Sequence, residues 1–415
     1  MAALEKERGE LMITKGHIAK GERTVRNRRV SPQLGILVAV LFVLAACAPA
    51  AAPSPSAAPA KPAGQAAAAP ASGEPYKIGV TFPLTGPQAA WGTLLVPAVE
   101  MGVQDVNDAG GVSGRPLSLV VEDSKGDPQA AVAAMRKVVQ VDRVPVVQTI
   151  FTNVVTAQMT LADQLKVPII STIEAPGLTD RSPYNFANSV TMADVLPLHS
   201  QHWQNQGYMK MFAFLPNTSI GEIYSPLLKG EAEKLGIQYD EARFKLGETD
   251  FRGLVSRAKD FGPDMIITAG HGTIDEANIM RQARELGIQV PLYGSCGCIT
   301  AKSYREAMGE LAEGFTFTTL KYDPQAAEKF ITAYRQKMGF DPDYAALENY
   351  DIVFMIRDAI ARGGYTGDGI QKALSEIKDF QSIGGGTISM GPNRQTKQTV
   401  AMYQIRNGQV TEIQP

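Results

Sequence analysis

The chain has 415 residues, a formal net charge of −2 and 44% apolar residues. That size and composition allow two or three domains with sizeable cores, and the near-neutral balance argues against nucleic acid as a principal partner. The three cysteines, Cys47, Cys296 and Cys298, form no evenly spread set, so no disulfide framework is expected. Four scattered histidines and one Cys-x-Cys supply too few ligands for a metal centre.

Arg23, Arg26, Arg28 and Arg29 precede an apolar run at 34–46. The run is too short for a membrane span and has the flanks of a signal peptide. Met12 offers a second start. The run ends in Leu44-Ala45-Ala46-Cys47, which resembles the bacterial lipobox. By that resemblance the peptide is cut before Cys47, and the Cys47 thiol takes a lipid that anchors the protein to the membrane. Residues 48–74 are mostly Ala, Pro, Ser and Gly, a flexible tether. Nothing beyond the tether is apolar enough to span a bilayer, so a water-soluble body outside the cytoplasm is expected.

The body alternates strand and helix. A buried strand is predicted at 76–82, followed by a helix with Val99, Val103 and Val106 on one face and Gly110-Gly111 at its end. A strand follows at 117–122. Asp127-Pro128 then supplies an N-cap and a first-turn proline for a helix carrying Val132, Met135 and Val139. Strands at 144–148 and 167–171 flank a helix-compatible segment. The pattern returns with a strand at 209–215, a helical stripe of Phe251, Leu254, Val255 and Ala258, a strand at 265–268, a helix ending at Gly287, and a strand at 290–293. Ala327, Phe330, Tyr334 and Met338 mark one more helix and 350–362 another. A β-rich tail at 384–410 closes the chain. Such alternation predicts an α/β fold with parallel sheets, and two runs of it, divided near 188–195, predict two lobes.

Three segments then acquire a family likeness: Leu84-Thr-Gly-Pro-Gln-Ala-Ala-Trp-Gly92, Asn107-Asp-Ala-Gly-Gly-Val-Ser-Gly-Arg-Pro116 and Val121-Glu-Asp-Ser-Lys-Gly-Asp-Pro-Gln129. With Val167-Pro-Ile-Ile-Ser171, Asp250-Phe-Arg-Gly-Leu254 and Met280-Arg-Gln-Ala-Arg284, the chain resembles the branched-chain amino-acid-binding (Leu/Ile/Val-type) periplasmic proteins of ABC transporters from about Tyr76 onward. The resemblance implies a type I fold, two doubly wound parallel-sheet lobes joined by a three-strand hinge that close on a ligand. Lobe 1 would comprise 75–190 and 320–388, and lobe 2 would comprise 191–319 and 389–415. The implied partners are a small-molecule ligand and the permease and ATPase subunits of an importer. No cofactor is implied, and a monomer is expected.

Ligands of open parallel sheets bind beyond the carboxyl ends of the strands, where helix starts attract anions. The loop after the first strand brings Trp91, which the resemblance places against the ligand's side chain. The loop after the third brings Thr152 and Asn153, which the resemblance assigns to the ligand carboxylate and which also suit a plain helix cap. The loop after the fourth brings Ile173 and Glu174; Glu174 suits an ammonium or amide, or is a solvated loop charge. In the second lobe Ile220 and His271 replace residues commonly aromatic in the family. Cys296 stands where amino-acid binders often carry an acid for the ligand ammonium. The expected ligand is therefore a small carboxylate-bearing metabolite, an amino acid or a related compound. Two other functions stay open. One is a ligand-sensing receptor subunit. The other is a hydrolase built on Cys296, His271 and Glu174, whose spacing matches no local catalytic signature. Binding, not catalysis, is the expectation.

Overall fold

Pro145 and Pro168 decide where two central strands begin. The computed structural model, which describes residues 71–173, 175–268, 274–294, 306, 308–321, 323 and 325–415, starts the third strand at Val147 and the fourth at Ile169. Both lie later than the apolar runs suggest. The preceding helix ends in a wide turn whose last bond, Val144 N–H to Val138 O at 3.1 Å, uses the residue before Pro145. Pro168 has no N–H for a ladder, but its carbonyl accepts Val147 N–H at 3.0 Å. All the described residues fall in one unit, 66–415. Residues 1–47, on which the signal peptide and the lipidation site Cys47 are expected, and Glu174, His271, Cys296 and Cys298 lie outside them.

The first sheet contains β1 (Tyr76–Phe82), β2 (Leu117–Asp123), β3 (Val147–Ile150), β4 (Ile169–Thr172) and β5 (Asn185–Ala187) in the order β2-β1-β3-β4-β5, all parallel. Helices α1 (Ala89–Asp108), α2 (Pro128–Arg136) and α3 (Thr152–Leu165) make its crossovers. The Asp127 side chain caps α2 by accepting from Gln129 and Ala130 N–H, both at 2.9 Å, as the Asp-Pro pair predicts.

The second sheet has the order β15-β14-β10-β9-β8-β6-β7. Its parallel part is β6 (Lys210–Pro216), β7 (Gln238–Phe244), β8 (Met265–Thr268), β9 (Leu292–Gly294) and β10 (Thr316–Leu320). The strands β14 (Val400–Arg406) and β15 (Gln409–Ile413) add antiparallel. Its helices are α4 (Met192–Gln206), α5 (Ser219–Leu235), α6 (Arg252–Phe261) and α7 (Ile274–Glu285). On β6, Phe212 and Phe214 enter one core cluster while Met211, Ala213 and Leu215 enter another, so helices cover both faces.

The chain passes between the sheets three times: from β5 into α4, after β10, and into β14. The second and third passages touch where Lys321 N–H donates to Thr399 O at 2.7 Å. Between them lie α8 (Glu328–Met338), α9 (Tyr344–Gly363) and α10 (Gly367–Ser375), and a small antiparallel sheet of β11 (Phe380–Gln381), β12 (Thr387–Met390) and β13 (Thr396–Lys397). The long helix α9 packs on α1 and β4. A buried polar seam fixes its register: Gln148 Nε2 donates to Asn349 Oδ1 at 2.7 Å, and Asn349 Nδ2 to Thr172 Oγ1 at 3.3 Å. Gln395 joins the small sheet to the first passage through the Ser189 carbonyl.

Candidate functional site

The site is built from helix starts at the carboxyl ends of both sheets. Leaving β1, the loop 83–88 is held by Asp123 at the end of β2. The Asp123 carboxylate accepts Leu84 N–H at 2.8 Å and the Thr85 hydroxyl at 2.5 Å. Burial works against this charge, but hydrogen bonds from Thr85, Leu84 and Lys125 hold the carboxyl below its usual range. The fixed loop delivers Trp91 to the first turn of α1.

Leaving β3, the chain turns at Phe151, which has φ of 73°, a left-handed conformation unusual for a bulky residue. Thr152 opens α3, and the first helical bond runs from Val155 N–H to Phe151 O at 2.9 Å. No side chain caps this start, which leaves first-turn N–H groups directed outward. The neighbouring Asn153 side chain is used structurally. Its Nδ2 donates to Gly126 O at 3.0 Å and ties α3 to the loop after β2. Trp91 meets Phe151 edge to face, with ring centroids 6.1 Å apart, and forms an aromatic wall beside the α3 start.

The second sheet repeats the device. Thr218 precedes α5 without capping it, and its Oγ1 is buried with no hydrogen-bond partner among the described residues. A Cβ on Gly221 would stand 2.0 Å from Pro216 O, as one on Gly92 would stand 2.1 Å from Pro83 O. In each lobe a first-turn glycine thus lets the helix lie against the carbonyl of a proline at or just past the end of the preceding strand.

Helices α3 and α5, from different sheets, are in contact. Ile223, one turn into α5, packs against the cluster that contains Val155, one turn into α3.

Among the residues expected at the site, the structure brings Trp91, Thr152 and Asn153 together. Ile220 lies in the first turn of α5 but is 3% exposed within the core. Ile173 is 2% exposed, and its carbonyl accepts the Ser189 hydroxyl at the first passage between sheets. Glu174, His271 and Cys296 lie outside the described residues. Phe151 and Thr218 were missed. Thr218-Ser219 carries a legible cap signal, whereas nothing in a sequence announces a phenylalanine at positive φ.

Comparison with known proteins now fits this geometry. The family model for periplasmic binding proteins matches residues 75–409. The Leu/Ile/Val-binding protein homolog 3 of Brucella melitensis is 28% identical over 324 residues, which are 74% of this chain and 85% of that one. The branched-chain amino acid transporter substrate binding protein LivJ of Streptococcus pneumoniae, solved with isoleucine, superposes with a TM-score of 0.74 at 25% identity, covering 82% of this chain and all (100%) of that one. A solute binding protein of an ABC transporter from R. palustris, solved with benzoate, also gives a TM-score of 0.74, at 17% identity over 82% of this chain and 96% of that one, a likeness of fold alone.

Two α/β lobes joined by three passages of the chain define a hinged binding protein of type I. The chain belongs to the periplasmic binding protein family. Members of that family are extracytoplasmic solute-binding proteins. Among the described residues no helix is long and apolar enough to cross a membrane.

Proposed function

We propose that the protein is a solute-binding lipoprotein that captures a small carboxylate-bearing metabolite for an ABC importer. One observation carries this reading: the uncapped start of α3 lies beside the Trp91–Phe151 wall, on a helix that touches α5 of the other sheet. Free N–H groups at a helix start favour a carboxylate, and the aromatic pair suits an apolar body attached to it. Amino acids and aromatic acids both have that form, as do the isoleucine and benzoate bound by the two solved relatives. In this reading 75–190 with 320–388 and 191–319 with 389–415 are the closing lobes. Cys47 carries the lipid anchor, 48–74 is the tether, and permease and ATPase subunits are the partners. Asn153 supports the carboxylate loop, and Ile173 and Ile220 back the cleft.

The test is thermal unfolding of the purified chain with leucine, isoleucine, benzoate, short diacids and the neutral amide of each. A true ligand at a hundred times its Kd stabilises by about 2.7 kcal/mol. At least one carboxylate is expected to raise Tm while its amide does not. Equal shifts from acid and amide, or none from any acid, would overturn the proposal.

A further inference from the structure

A groove of about 740 Å³ lies at the other end of the second sheet, against the first residues of β9 and β10, where the cleft loops leave their last residues. His202 of α4 lines it. That side chain is only 9% exposed, and neither ring nitrogen is hydrogen-bonded among the described residues. Arg284, in the last turn of α7, also lines it. Its Nη1 donates to Ile288 O at 2.7 Å, and no acid among the described residues pairs with it. Burial lowers the pKa of this guanidinium. The α7 carboxyl end offers only a partial countercharge.

Arg406 reaches the same groove, with Nε on Gln404 Oε1 at 2.8 Å and no acidic partner among the described residues. The two acids on the wall are already engaged. Glu313 accepts Asn407 and Gly408 N–H at 2.9 and 3.1 Å, and Glu412 accepts Lys321 Nζ at 2.7 Å. Neither guanidinium therefore has an acidic partner among the described residues, and the His202 ring has an N–H to donate. The partly buried Arg284 charge, which meets a carbonyl but no carboxylate among the described residues, calls for a counterion, and the exposed Arg406 adds a second positive charge at the rim.

We propose that this groove is a second ligand site, separate from the cleft, that takes a compact oxyanion such as a phosphate or a short dicarboxylate. Arg284 and Arg406 neutralise the anion, and His202 donates a hydrogen bond to it.

The chain has two tryptophans. Trp203 stacks on His199 at 5.2 Å and meets Tyr293 of the groove wall edge-on at 6.3 Å. A Trp91→Phe background therefore leaves Trp203 as the reporter. The full chain is titrated with inorganic phosphate and with succinate, using sodium chloride of matched ionic strength as the control. A saturable change in Trp203 emission with either anion is expected, weakened about tenfold or more by Arg284→Gln. His202→Gln is expected to weaken it as well. No saturable change, an equal response to chloride, or an unaltered response in folded Arg284→Gln would overturn the proposal. Should Arg284→Gln not fold, Arg406→Gln on the exposed end of β14 decides: loss of the response supports the site, and an unaltered response overturns it.

Discussion

Trp91 and Phe151 meet edge to face, with ring planes at 86° and centroids 6.1 Å apart. The contact joins the start of α1 to the start of α3. It holds an aromatic surface beside uncapped N–H groups that neither helix could present alone.

Removing that surface separates binding from folding. Trp91 is only partly buried at the edge of the core. Trp91→Ala is expected to weaken capture of the cleft ligand about tenfold or more and to cost about 1–2 kcal/mol of stability. Calorimetric titration and urea unfolding of one preparation measure both. Unaltered affinity would remove Trp91 from the site.

Two glycines of α5 predict opposite outcomes for one substitution. At Gly221 a new Cβ meets Pro216 O at 2.0 Å and the Arg243 guanidinium at 2.6 Å. Because a backbone carbonyl has little room to yield, Gly221→Ala is expected to cost about 1–3 kcal/mol and to weaken ligand capture. At Gly230 nothing lies within 4 Å. Gly230→Ala is expected to stabilise by about 0.5–1 kcal/mol through helix propensity. Urea midpoints that rank the two the other way would contradict the packing of the α5 start.

Buried ionisable groups of opposite sign shape the pH profile. Burial raises the Asp351 carboxyl from 3.8 to about 7, against hydrogen bonds from Ser382 and Ile383. The folded chain keeps that proton where the unfolded chain has lost it. Its contribution is therefore complete below 3.8 and fades as pH rises to about 7. Asp343, raised to about 6 by burial, acts in the same sense. Burial, with a smaller effect of His202, lowers His199 from 6.5 to about 3. The His199 contribution is therefore complete above 6.5 and lost as pH falls towards 3. Each slope reaches about 1.4 kcal/mol per pH unit, and the two senses oppose each other between 3.8 and 6.5. Asp351→Asn is expected to shift the slope of stability against pH upward in that window by about 1.4 kcal/mol per unit, and His199→Gln to shift it downward by a similar amount. Denaturant midpoints across the window measure both slopes, and profiles parallel to the parent's in both variants would refute the assignment.

The proposed Cys47 anchor is tested in cells. Cys47→Ser is expected to move the protein from the membrane fraction to the soluble extracytoplasmic fraction while ligand capture stays unchanged. Retention in the membrane fraction would show that Cys47 is not the anchor.

Local chemistry made much of the chain legible. The alternation of apolar strands with helical stripes, the Asp127-Pro128 cap and the Gly110-Gly111 stop are written within a few residues, and each reappears in place. The strands β5 and β7 did not announce themselves, one being three residues long and the other an edge strand reading Gln-Tyr-Asp-Glu-Ala-Arg-Phe. Nor did α4 and α5, each interrupted by a proline. Only the tertiary structure decided that Asn153 is spent on Gly126 O, that Phe151 takes a positive φ, and that α3 meets α5. These depend on partners dozens of residues away, and the bonds to those partners offset a local strain that no nearby residue would tolerate. The sequence by itself determined most of the strand and helix segments of the body and the family they build. Packing between distant segments determined which polar groups remain free to hold a ligand.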